Sequence, residues 1–143
     1  MTVGRICVRE VDTADPEESV QVAAERMHSR NVGTLIVLNE RQQPIGMVTD
    51  RDLTIKVLAR GLDGTSVTVR EVMSPGPKSI QEETPIESAL KIMRDGPYRR
   101  VPVVDEEGKL VGLLSLDDIL DLLAEEFGEI GALVRRSGPR ALA

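Results

Sequence analysis

Apolar residues recur along this chain first at helical and then at strand spacing. Four of them stand at i, i+3, i+4 and i+7: Val20, Ala23, Ala24 and Met27. This spacing predicts an amphipathic helix with one buried face, and Ser19 marks its start. Two short β-branched runs, residues 34–40 and 44–49, flank a polar turn, which predicts a β-hairpin. A second helix is predicted to begin near Asp50.

The same order of elements recurs 66 residues later along the sequence without a gap. The offset is the number of positions from Gly46 to Gly112. A second helix pattern, marked by Thr84-Pro85, runs over residues 86–93 and is followed by the strand patterns "RVPVVDE" and "LVGLLS". A further helix is predicted to begin near Leu116. Each copy therefore reads α-β-β-α after a short lead-in segment, which indicates an internal repeat.

One copy alone would carry a small sheet and two helices with little core. We therefore predict a mixed α/β (α+β) fold in which two α-β-β-α repeats pack sheet to sheet with pseudo-two-fold symmetry and share a core. Repeat one is residues 3–60 and repeat two residues 69–127, joined by a linker over 61–68 and followed by a C-terminal tail over 128–143. Periodicity is lost from about Arg135, which predicts a frayed end.

Composition narrows the classes of function. The net charge of −6 and the pI of about 4.9 argue against nucleic-acid binding. No apolar run approaches the ~18 residues of a membrane span, so we expect no membrane partner. The single Cys7 fits the reducing cytoplasm and is expected to be a small core residue. The isolated His28 and the lack of a P-loop or metal-ligand motif predict no enzyme, no catalytic residue and no metal site.

Both junctions between hairpin and second helix carry a hydroxyl followed three residues later by an aspartate. They read "GMVTDRD", with Thr49 and Asp52, and "GLLSLDD", with Ser115 and Asp118. One interpretation is a capping box, in which the acid reaches back to the helix start. The other is a ribonucleotide site, because a hydroxyl beside free helix N–H groups suits phosphate and a carboxylate can accept ribose hydroxyls. Asp is shorter than the usual Glu or Gln, the motif recurs, and each preceding glycine permits close approach, which favours the second interpretation.

At this point the chain resembles a tandem pair of CBS (cystathionine β-synthase-type) domains, a Bateman module, over about residues 3–126. The Gly-hydrophobic-hydrophobic-Thr/Ser-x-x-Asp run of each repeat carries the resemblance, with "VREVM" and "VPVVDEEGKLVG" in support. The resemblance implies a stand-alone regulatory module that binds AMP, ADP, ATP, S-adenosylmethionine or NAD between the repeats. No cofactor is required, and the adenosine nucleotide is a regulatory ligand. The alternatives are a structural dimerisation module with degenerate sites and, least favoured, an enzyme.

The resemblance also implies which residues hold the ligand. Asp52 and Asp118 would bind ribose hydroxyls, and Thr49 and Ser115 would contact the phosphate or ribose. Adenine would lie between apolar residues of both repeats. Two further groups match the family's adenine side and strand starts: Val11, Asp12, Pro77 and Lys78, and Val32, Gly33, Tyr98 and Arg99.

Basic residues distinguish the two repeats. Arg99 and Arg100 stand where the resemblance places phosphate ligands, whereas repeat one has no base there. If they act, the Ser115/Asp118 site should prefer more phosphates; the alternative is a solvated strand end. Arg51 is equally consistent with a phosphate ligand in the first site and with an ordinary surface residue. Lys78 reads more readily as a charged loop residue than as a ligand.

Apolar residues of the second helices predict association. Leu116, Ile119, Leu120, Leu122 and Leu123 exceed what one helix of a small half-domain can bury, so we expect a homodimer. The resemblance implies contact through the helices after each hairpin, residues 53–58 and 119–123. No effector domain is recognised, so an unidentified effector protein is the other expected partner.

Overall fold

The computed structural model describes residues 1–96 and 98–142, with side chains described through residue 136. The helices are α1 (Val3–Ile6), α2 (Val20–Arg30), α3 (Asp50–Leu53, continued by a π-helical turn, Thr54–Leu58), α4 (Val69–Val72), α5 (Ile86–Asp95) and α6 (Leu116–Leu142). The strands are β1 (Thr13–Ala14), β2 (Thr34–Leu38), β3 (Pro44–Thr49), β4 (Ser74–Pro75), β5 (Ile80–Gln81), β6 (Arg100–Val104) and β7 (Leu110–Ser115).

The predicted elements are present in the predicted order. The Ser19 hydroxyl accepts a hydrogen bond from the Val22 amide at 3.2 Å and so caps α2. The second helices begin at Asp50 and Leu116, as the pattern predicted. The last helix, α6, continues past Arg135 to Leu142, in the stretch where the loss of periodicity predicts a frayed end.

The strands form two sheets, one built around the hairpin of each repeat, and β4 of repeat two joins the first sheet beside β3. The first sheet has the order β1-β2-β3-β4 and the second the order β5-β6-β7. Each sheet contains one antiparallel hairpin, β2 with β3 or β6 with β7. A short strand pairs in parallel with the first strand of each hairpin, β1 with β2 and β5 with β6. The two-layer α/β arrangement confirms the predicted fold class.

Both hairpin turns use the same chemistry. A side-chain oxygen, Oδ1 of Asn39 or of Asp105, accepts two backbone N–H bonds at 2.9–3.0 Å. The left-handed position is Gln42 in the first turn, with φ 63°, and Gly108 in the second, with φ 82°. The turns also join the repeats, since the Leu110 amide donates to the Gln42 carbonyl at 2.9 Å.

The lead-in helices are exchanged between the repeats. In α1 of repeat one, the amides of Val3 and Gly4 donate to the carbonyls of Thr84 and Glu82 in repeat two, both at 2.9 Å. In the same way, the amides of Val69 and Arg70 in α4 donate to the carbonyls of Glu18 and Pro16, both at 2.9 Å. Each repeat therefore supplies the segment that closes the other.

The exchange also completes two separate cores, where the sequence had suggested a single shared one. The first core combines residues of repeat one, namely Ala14, Val20, Ala23, Met27, Leu35, Val37, Val48 and Val57, with Val67, Val69 and Val72 of the linker and α4. The second core combines Ile80, Ile86, Ala89, Met93, Val101, Val103, Leu114 and Ile119 of repeat two with Val3 and Cys7 from the N-terminal lead-in. On the opposite strand faces, Ile36 and Pro102 are buried as well, as expected where two sheets face each other.

The exchange predicts where a core substitution acts. Val69→Ala should cost about 1–3 kcal/mol of stability, because it removes two buried methyl groups. Amide hydrogen exchange should then rise mainly in β2 and β3 of repeat one, although Val69 belongs to repeat two in sequence. Val3→Ala is the matched control and should raise exchange mainly in β6 and β7. If each substitution instead raised amide hydrogen exchange mainly within its own repeat, the swap of the lead-in helices between the repeats would be contradicted.

Candidate functional site

A cleft between the repeats contains half of the residues predicted to bind a ligand. Its cavity volume is about 360 Å³. Repeat one contributes Val11, Asp12, Val32 and Gly33. Repeat two contributes Arg100, Ser115 and Asp118.

The exchanged lead-in explains this composition. Val8 pairs with Leu113 in β7 through two backbone hydrogen bonds of 2.9 Å, so the chain after Val8 runs beside the second sheet. It then returns to its own repeat, where the Ile36 amide donates to the Asp12 carbonyl at 3.1 Å. Val11 and Asp12 are thereby held between the two sheets.

At the second junction, Ser115 and Asp118 form a reciprocal pair. The Asp118 amide donates to the Ser115 hydroxyl at 3.1 Å, and the Ser115 amide donates to Oδ2 of Asp118 at 2.9 Å. Asp118 Oδ1 has no hydrogen-bond or ion-pair partner within the described part of the chain. Since Asp118 lines the cleft, the helix start and an unused acceptor occur in one side chain.

At the first junction, the carboxylate is more fully used. Thr49 and Asp52 form a complete capping box, with distances of 2.9 Å from the Thr49 amide to Oδ2 and 3.2 Å from the Asp52 amide to the hydroxyl. Lys56 Nζ lies 3.1 Å from Asp52 Oδ1 and donates to the Val72 carbonyl at 2.8 Å. The residue 66 positions after Lys56 is Leu122, so Asp118 has no equivalent cation. The two junctions therefore share a motif and differ in the state of their second oxygen.

Seven of the predicted residues do not line this cleft: Thr49, Arg51, Asp52, Pro77, Lys78, Tyr98 and Arg99. The 66-residue offset relates Pro77 and Lys78 of repeat two to Val11 and Asp12 of repeat one, which do line the cleft. Arg99 and Arg100 are adjacent and both exposed, yet only Arg100 lines the cleft. Arg100 lies opposite Ser115 in the β6–β7 register, and its guanidinium pairs with none of the described side chains.

The charge of the cleft includes residues that sequence reasoning missed. Glu10 also lines it, so the lining carries three carboxylates, of Glu10, Asp12 and Asp118, and one guanidinium, of Arg100. Arg30, at the end of α2, pairs with Asp12 at 2.8 Å. The hydrogen bond from Arg30 to Asp12 is the main cause that raises the pKa of the Arg30 guanidinium. No sequence motif marks Glu10 or Arg30.

The presence of glycine at the same position of both repeats, Gly46 and Gly112, has a packing cause. A Cβ at Gly112 would lie 2.7 Å from Cys7 Sγ and 3.0 Å from the Val8 carbonyl oxygen. At Gly46 it would collide with the Met73 side chain and lie 3.1 Å from the Ser74 carbonyl oxygen. The exchanged lead-in approaches each strand at this point, so the glycines are explained without a ligand.

Cys7 belongs to the second core and not to a reactive site. Burial is the main cause that raises the pKa of the Cys7 thiol, which keeps it protonated at neutral pH. Where side chains are described, His, Cys, Asp and Glu residues nowhere gather in a group of three suited to holding a metal. Among the described helices, none combines the length and apolar character of a membrane span.

Known proteins share both the repeat and the fold. A family model, described as CBS domain, matches residues 3–59 and again 69–125. Uncharacterized protein MK0525 of Methanopyrus kandleri is 36% identical over 85% of this chain, which spans 62% of that relative's length.

Two similar solved structures contain adenosine-type ligands. The structure of CBSX2, a CBS-pair protein from Arabidopsis thaliana, in complex with AMP has a TM-score of 0.73 at 27% identity and covers 87% of this chain and 96% of its own. The CBS domain pair of protein MJ0100, in complex with 5-methylthioadenosine and S-adenosyl-L-methionine, has a TM-score of 0.76 at 25% identity, with coverage of 88% and 98%. The chain therefore belongs to the CBS domain family and carries two copies of the domain in tandem.

Proposed function

We propose that this protein is a ligand-sensing regulatory module whose Ser115/Asp118 cleft binds one adenosine-type ribonucleotide. The observation that carries the proposal is Oδ1 of Asp118, which has no partner among the described residues and belongs to a cleft lined by both repeats. A charged acceptor without a partner suits a pair of hydroxyls, because hydrogen bonds to ionised groups are the stronger ones. The described complexes of CBSX2 and MJ0100 with adenosine derivatives support this ligand class.

The surrounding groups suit the other parts of the ligand. Ser115 lies at the start of α6, where the positive end of the helix dipole attracts an anion. Arg100, opposite Ser115, adds a positive charge for a phosphate. Val11 and Val32 provide apolar surface for the base.

The charge and size of the cleft narrow the choice among the expected ligands. Arg30 neutralises the charge of Asp12, so the remaining charges of the cleft lining are the two negative charges of Glu10 and Asp118 and the one positive charge of Arg100. Each additional phosphate therefore adds repulsion, and we propose AMP or a cationic S-adenosyl ligand over ADP and ATP. The volume of about 360 Å³ is near the lower end of ligand pockets, which disfavours a dinucleotide such as NAD. This ranking replaces the expected preference for more phosphates, because Arg99 does not line the cleft.

No catalytic step is assigned to the protein. The role that fits the geometry is signal transmission, because a ligand bound by both repeats changes the position of one repeat relative to the other. We propose that this change is passed to a second copy or to a separate effector protein, in the cytoplasm that the single Cys7 suits.

We also propose a homodimer. Leu58 in the π-helical turn is 76% exposed and Leu120 in α6 is 52% exposed, which leaves apolar surface on the helix that follows each hairpin. Ile119, expected to contribute to this surface, is only 2% exposed and belongs to the second core.

A structural module with degenerate sites is the second candidate. The Lys56–Asp52 pair favours it for the first junction, because that carboxylate already has a partner for each oxygen. A thermal-shift screen with AMP, ATP, S-adenosylmethionine and NAD separates the candidates. Stabilisation by at least one ligand supports sensing, and no stabilisation by any supports the structural module.

Substitution of the two aspartates should have unequal effects on binding. Asp118→Asn should weaken AMP binding roughly tenfold to a hundredfold, because a charge-assisted contact is lost. Asp52→Asn is the matched control, which perturbs the equivalent capping box and should change AMP affinity much less. Both should lose up to about 1 kcal/mol of stability from the weakened cap. Titration calorimetry and thermal melts measure the two quantities, and equal affinities for wild type and Asp118→Asn would contradict the assignment.

The two neighbouring arginines should also differ. Arg100→Ala should remove most of the advantage that AMP has over adenosine, and it should reduce the salt dependence of AMP binding, since the contact is partly coulombic. Arg99→Ala removes the same charge one residue away, outside the cleft, and should leave both properties unchanged. Calorimetric titrations with AMP and adenosine at two salt concentrations test this. A larger effect of Arg99→Ala would place the phosphate elsewhere.

A further inference from the structure

The last helix leaves the body of the protein. Ile119 is buried in the second core and Leu122 is half-buried, but nearly every described residue from Leu123 to Arg136 is exposed. The half-buried exception is Gly131, which is close to the Arg135 guanidinium of the same helix. At 1.5 Å per residue, this segment extends about 20 Å beyond its last contact with the core.

An apolar stripe runs along α6 and continues into this extended segment. Its members are separated alternately by four and three residues: Leu116, Leu120, Leu123, Phe127, Ile130 and Val134. The last three are 69%, 54% and 62% exposed. This spacing is the one found in the seam of a coiled coil, where each apolar side chain inserts between residues of a facing helix.

The helix requires a covering surface for its own stability. Isolated helices of this length are marginal in water, and most helical stability in proteins comes from packing of the apolar face. Gly128 and Gly131 in the helix interior lower its stability further. A partner that covers the stripe would supply the missing packing.

The charges on α6 identify a second copy as that partner. Residues 117–129 contain six acids and no base: Asp117, Asp118, Asp121, Glu125, Glu126 and Glu129. Residues 130–142 contain Arg135, Arg136 and Arg140 and no acid. Two such helices side by side in antiparallel orientation place each basic end near an acidic start, and their helix dipoles also attract. Parallel pairing would set like charges together.

We propose that α6 pairs with α6 of a second copy as an antiparallel two-helix interface. The last four members of the stripe face one another when the two-fold axis passes between residues 128 and 129. Leu123 then faces the partner's Val134, and Phe127 faces the partner's Ile130. Ala124 faces the partner's Gly131 along one edge, where small residues allow the backbones to approach. The inference rests on the proposed homodimer and adds the extended part of α6 to its contact surface.

Disulfide cross-linking tests the pairing and its direction in the full chain. In a Cys7→Ser background, proteins carrying Leu123→Cys and Val134→Cys are mixed, incubated for subunit exchange and oxidised. We expect a disulfide between the two different chains, and none in Leu123→Cys alone. In the antiparallel register the two 123 positions are about 16 Å apart along the axis, and a disulfide requires Cα atoms within about 7 Å.

The other results each have one meaning. Cross-linking of Leu123→Cys with itself, and not with Val134→Cys, would overturn the antiparallel orientation. A dimer by light scattering without the mixed disulfide would overturn the α6 pairing while the proposed homodimer stands. A monomer would overturn both. Adding Phe127→Ala should reduce the yield of the mixed disulfide about tenfold or more, as loss of a central aromatic does at interfaces. Val22→Ala, which truncates an exposed apolar residue of α2, is the control and should leave the yield unchanged. Equal yields with the two substitutions would also overturn the pairing.

Discussion

The exchange of the lead-in helices is the constraint on which the rest of the structure depends. Val69 and Val72 complete the first core, and Val3 and Cys7 complete the second, so neither half buries its apolar residues without the other. The cleft follows from the same exchange, because the chain that leaves Val8 in the second sheet must pass between the repeats to reach the first. A ligand that binds there contacts segments whose relative position sets the packing of both halves.

Capping and ligand binding are compatible in a single aspartate. A carboxylate has two oxygens, and the capping box of Asp118 uses one of them. The same box in repeat one is joined by Lys56, which takes the second oxygen and reaches the Val72 carbonyl at the end of α4. Two copies of one motif can therefore divide the tasks, with one junction holding the repeats together and the other open to a nucleotide.

Sequence patterns predicted the repeat, the hairpins and the helix starts, because Ser19, Asp50 and Leu116 carry local signals that act within a few residues. The exchange could not be predicted, since the apolar pattern of Val69–Met73 does not say which core it enters. The length argument against Asp as a capping residue was wrong, because the carboxylate reaches the amide at 2.9 Å at both junctions. The Asp52–Lys56 ion pair could have been predicted from its i, i+4 spacing on a helix. The position of Glu10 in the cleft could not, because it depends on tertiary structure.

The central claim is that the cleft between the repeats recognises a ribose through Asp118. Titration calorimetry of the unmodified protein with AMP and with 2′-deoxy-AMP tests it most directly. The two ligands differ only in the 2′-hydroxyl, which would donate a hydrogen bond to the carboxylate. We predict that 2′-deoxy-AMP binds roughly tenfold or more weakly, the effect of losing one charge-assisted hydrogen bond. Equal affinities for the two nucleotides would contradict the account.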